Sequence, residues 1–79
     1  MKIQLIHGQF SSDDATDLVT KMIQTKIKFH ESRITNQCSE EDIKMRESKI
    51  KHLQKDLIEA RKIILANKSI NIEAEMVLN

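Results

Sequence analysis

Residues Ser69 to Leu78 alternate with a period of two, with Ile70, Ile72, Ala74, Met76 and Leu78 on one side and Asn71, Glu73 and Glu75 on the other. That period belongs to a half-buried strand. A shorter version opens the chain at Ile3 and Leu5, so two strands bracket a middle that reads as helix. The chain has no Pro and one Gly, so little interrupts that middle. The expected plan is β-α-α-β, an α+β fold that is mostly α. It consists of an antiparallel two-helix hairpin, coiled-coil-like along its seam, flanked by short terminal strands and completed by dimerisation.

Local signals set the boundaries of one domain spanning residues 1–79. The first strand is expected at about 2–7, ended by Gly8, which is read as the turn because glycine takes positive φ without steric cost. Ser11 and Ser12 precede Asp13 and Asp14, a hydroxyl cap followed by carboxylates at the positive end of a helix, so the first helix is expected at about 12–35. Thr35-Asn36-Gln37-Cys38 is a polar break. Ser39 with Asp42 three residues on resembles a capping box and starts a second helix at about 40–67, and the last strand follows at about 69–78.

At 100° per residue, the first helix begins with a wide apolar arc of Ala15, Leu18, Val19, Met22 and Ile23 and narrows to Ile27, His30 and Ile34. In the second helix Ile43, Ile50, Leu53, Leu57, Ala60 and Ile64 keep a three-four spacing, interrupted by Arg46. The expected hairpin seam is therefore Ile23, Ile27, His30, Ile34, Ile43, Arg46, Ile50, Leu53 and Ile64. Arg46 is expected to pair with Glu31 or another carboxylate on the facing helix. Antiparallel packing brings the broad helix ends and both strands together as a base, from which a narrower arm projects.

Seventy-nine residues make one small domain that buries roughly 60–65% of its unfolded surface, so an extra source of burial is needed. Cys38 is the only cysteine, which excludes an internal disulfide, and no Cys/His spacing points to structural zinc. Oligomerisation remains, and a homodimer is expected. Its self-association surface would use Ile3, Leu5, Leu18, Met22, Leu57, Ile58, Ile63, Leu65, Ile70, Ile72, Ala74, Met76 and Leu78.

The net charge of +1 provides no general attraction to nucleic acid, anionic membrane or acidic substrate. Helix two, from Glu40 to Lys68, interleaves eight basic with six acidic residues and reads as a solvated, ion-paired face. No segment has the apolar core of a signal peptide or the length of a membrane span, and a lone cysteine fits a reducing compartment, so a cytoplasmic location is expected. Neither a nucleophile with its base nor a glycine-rich phosphate loop is visible. The expected role is a non-catalytic protein-interaction or regulatory module, with no cofactor, no metal and no small-molecule substrate. His30 and His52 have no convincing ligand partner at helical spacing. Cys38 reads as an ordinary exposed thiol, its helix-start position offset by Glu40, Glu41 and Asp42.

Two resemblances are present. His30-Glu31-Ser32-Arg33-Ile34-Thr35 resembles the H-box of histidine kinase dimerisation domains, which implies His30 as phosphoacceptor and Glu31 as its base. Ser32 stands where that motif has an apolar residue, Ile34 is inserted before Thr35, and Asn36 replaces Pro. The start of the chain is similar to ribbon-helix-helix repressors, which pair N-terminal strands across a dimer, and implies DNA binding. It departs in its long first helix, its extra strand, and Ile6 where a polar base-reading residue would stand.

Overall fold

The computed structural model describes residues 1–79. Four elements follow in order: β1 (Lys2–Ser11), α1 (Ser12–Ser32), α2 (Glu40–Leu65) and β2 (Ser69–Val77). The strands pair antiparallel with each other inside one chain, as a two-stranded sheet. Contacts between residues 30 and 46 near the turn, and 20 and 61 farther from it, run in opposite chain directions and make the helices an antiparallel hairpin. No helix is long and apolar enough to cross a membrane.

Gly8 is not the turn. β1 continues past it to Ser11, and Gly8 sits within the ladder opposite Ile72 with φ of 130°. Its conformation is one that L side chains rarely adopt, so glycine is required here by the backbone inside a strand rather than at its end. The chain instead enters α1 with no intervening loop. Ser11 is at once the last strand residue and the helix cap, its hydroxyl accepting from Asp14 N–H at 3.2 Å. Ser12 N–H donates to Lys68 C=O at 3.2 Å and ties that corner to the start of β2.

The period-two reading of the first strand also slips by one residue. Gln4 pairs with Glu75 but Ile6 pairs with Ala74, so Leu5 is the extra residue of a β-bulge. The bulge places Ile6, not Leu5, beside Ile3 on the apolar face. That face carries Ile3, Ile6 and Phe10 from β1 opposite Met76, Ala74 and Ile70 of β2, with Ile72 over Gly8. The other face pairs Gln4 with Glu75, His7 with Glu73 and Gln9 with Asn71. His7 Nδ1 lies 3.5 Å from Glu73 Oε1 there.

α1 ends at Ser32, three residues before Thr35. Ser32 Oγ donates to its own helix at Phe29 C=O (2.7 Å), while Cys38 Sγ donates to Arg33 C=O (3.2 Å) and Cys38 N–H to Thr35 C=O (3.1 Å), so the chain from Arg33 onward closes on itself as a turn. Ile34 therefore stands in the turn, half-buried, rather than on the helix. Ser39 caps α2 by accepting from Asp42 N–H at 3.2 Å. At the far end Asn67 Nδ2 donates to Ile63 C=O at 2.8 Å, and the helix stops at Leu65.

Only Ala15, His30 and Ile64 are buried. α1 lies against both strands, yet every apolar residue of the sheet face stays half-buried. A Cβ built on Gly8 would meet no atom within 4 Å, so the middle of the sheet has open space above it. The shape is a slab of 45 × 32 × 13 Å. Its radius of gyration is 15.1 Å, against about 12 Å for a compact domain of this length.

Candidate functional site

The apolar sheet face and the base of the hairpin form one candidate surface. Leu18, Leu57, Ile3, Ile70, Ile72, Ala74 and Met76 are half-buried, whereas Leu5, Met22, Ile58, Ile63, Leu65 and Leu78 are exposed, Leu65 at 72%. Ile58 and Leu65 are seven residues apart, two helical turns, and so share one stripe of α2. The termini close the sheet, since the Met1 ammonium donates to Leu78 C=O and Leu78 N–H to Met1 C=O, both at 2.7 Å. The outer edge of each strand has no partner in the chain.

A second site lies along the hairpin. Ile23, Ile27, Ile43, Ile50 and Leu53 are half-buried on the two helices, and His30 is 5% exposed among them. Arg46 bonds His30, not a carboxylate as the residue pattern suggests: its Nη1 lies 2.8 Å from His30 Nδ1. A guanidinium has only donors, so Nδ1 must accept and the proton of the neutral ring must sit on Nε2. Glu31 is exposed and makes no such bond. Phe29 packs edge-on against His30 at 5.5 Å, with the guanidinium groups of Arg33 and Arg46 5.0 and 5.8 Å from its ring centre. Stacking on Phe29 steadies the Arg46 side chain that fixes the histidine tautomer.

Beside this pair the helices part into a cleft of about 320 Å³, lined by Lys26 and His30 from α1 and by Lys49, His52, Leu53 and Asp56 from α2. Burial holds the His30 imidazolium below its ordinary pKa, reinforced by the positive charges of Arg46, Lys49 and Lys26. Sequence reading did not single out this cleft. His52 and Asp56 are four residues apart and so share a face of α2, contrary to the expectation that His52 has no ligand-type partner at helical spacing, and only the register of the hairpin brings Lys26 and His30 opposite them. No group of three or more His, Cys, Asp or Glu side chains is placed to hold a metal ion.

Cys38 is half-buried in the interhelical turn rather than exposed. Its thiol is held below the usual range chiefly by hydrogen bonds from Thr35, whose N–H lies 3.4 Å and whose hydroxyl lies 3.5 Å from Sγ. Burial and Asp42 oppose that effect. Comparison with protein-family models, curated proteins and solved structures finds no match for this chain.

Proposed function

We propose that this chain is a self-associating interaction module, a homodimer with no catalysis of its own, that works in the cytoplasm by presenting surfaces to other proteins. One observation carries the reading. The chain exposes 6306 Å², whereas a compact monomer of 9.2 kDa exposes about 4,900 Å². The excess of about 1,400 Å² is larger than the roughly 800 Å² that each partner contributes to a standard interface. Large apolar side chains stand exposed on the Ile58–Leu65 stripe and half-buried on the sheet face. A twin of the same chain is the cheapest cover, because an isologous two-fold contact matches each apolar patch with its own copy.

Dimerisation through the base leaves the far end of the hairpin free, with Phe29 and Met45 exposed there. That arm is the surface proposed for a further protein. Light scattering across a concentration series tests the core of the reading. A mass of twice the chain supports it, and a monomer at micromolar concentration refutes it. Truncation of the arm should then leave the dimer intact while abolishing any protein captured by the full chain.

A further inference from the structure

The cleft beside His30 carries a second and independent conclusion. We infer that it is a binding site for a small phosphate-class oxyanion, either inorganic phosphate or a phosphate monoester, held by His30 Nε2–H, Lys26 and Lys49.

The argument starts from hydrogen-bond capacity. His30 is 95% removed from solvent by its 5% exposure, and its Nδ1 is committed as acceptor to Arg46. Nε2–H therefore remains as a donor, with no partner in the protein and yet not sealed from the cleft that the ring lines. A donor in that position is completed by an acceptor arriving from outside. The side chains sharing the cleft indicate which kind of acceptor. Lys26 and Lys49 flank the ring from opposite helices, and Arg46 adds a third cation behind it. Asp56 is the single carboxylate in the lining, and it forms no ion pair with any of them within 4 Å. Three cations against one carboxylate leave two positive charges uncompensated, which suits a dianion. A volume of about 320 Å³ admits phosphate with room for a small esterified group.

The same geometry argues against a metal. A ligating histidine uses a lone pair on one nitrogen and donates from the other, usually to a carboxylate or carbonyl. Here the second nitrogen accepts from a guanidinium, so Nε2 can present a lone pair only if the ring changes tautomer and gives up its bond to Arg46, and the three neighbouring cations repel an arriving metal ion.

The test uses the full chain, nitrogen-15 labelled, in a chloride-containing zwitterionic buffer at neutral pH and constant ionic strength. Inorganic phosphate and glycerol phosphate are titrated separately while the His30 ring nitrogens are followed by long-range proton–nitrogen correlation. A saturable shift of Nε2 is expected, and whichever of the two saturates at lower concentration identifies the source of the phosphoryl group. Lys26→Ala with Lys49→Ala, both at exposed positions, should weaken binding about tenfold. Asp56→Asn, which removes the competing carboxylate, should tighten it about threefold. A linear, unsaturable drift, the same shift with sodium chloride, or saturation of Nε2 by zinc with loss of its proton would each overturn the assignment.

Discussion

Ile58 and Leu65 are large apolar side chains, 59% and 72% exposed, on one stripe of α2. In a lone chain, exchanging both for lysine removes almost nothing from a packed interior, so the stability of the monomer should change by no more than about 0.5 kcal/mol. In the proposed dimer the same exchange places ammonium groups in an interface with no counter-charge designed for them. Leaving a charge buried and unpaired costs about 3–5 kcal/mol, and two-fold symmetry presents each substitution twice. Even one such cost at the low end of that range corresponds to a dissociation constant raised at least about 100-fold. Sedimentation equilibrium of wild type and Ile58→Lys/Leu65→Lys over a wide concentration range measures this directly. Gln24→Lys, an exposed polar position on α1, controls for added charge. The expected outcome is a dimeric wild type and control, with a folded, monomeric double variant by circular dichroism. A double variant that dimerises as tightly as wild type would show that the excess surface is not what the second copy covers.

Three other measurements address the interior of the fold. Gly8→Ala should destabilise by about 1–3 kcal/mol in denaturant titrations, because its φ of 130° strains any L residue even though the added methyl has open space. An unchanged midpoint would refute that backbone assignment. His30 is held below its ordinary value of 6.5 in the folded state, so as pH falls below that value the unfolded chain takes up the proton first. Stability should therefore be complete above 6.5, decline through the window beneath it, and level off once the folded-state His30 also titrates. Arg46→Met should narrow the window without abolishing it, since burial is the larger cause and Lys49 and Lys26 remain; a flat profile in the wild type would contradict the assignment. Thr35→Val removes the hydroxyl contact to Cys38 Sγ, should raise the thiol pKa, and should slow alkylation by iodoacetamide at neutral pH severalfold. Equal rates would place the cause elsewhere.

The element order was legible because each element announces itself locally. Alternation from Ile70 to Met76 gives the period of β2, and Ser11 and Ser39 carry hydroxyls that cap the next turn, a bond confined to four residues. Where β1 ends was not legible, because a lone glycine signals a turn and an in-strand positive φ with equal force. The choice depends on whether another strand offers its ladder to residues beyond Gly8, as Ile70 does to Phe10. The bulge at Leu5 is hidden for the same reason, since Ile3, Leu5 and Ile6 are all apolar and the register is decided by β2.

The one-dimensional part is therefore written in the sequence: two strands, two helices and their caps. Tertiary structure alone decided that β1 pairs with β2 of its own chain, that Arg46 meets His30 instead of an acid, and that Lys26, Lys49, His52 and Asp56 gather around that ring. Periodicity and capping depend on neighbours within a few residues, whereas the partner of a side chain across a hairpin depends on register. A shift of one residue would present a different set of groups to His30.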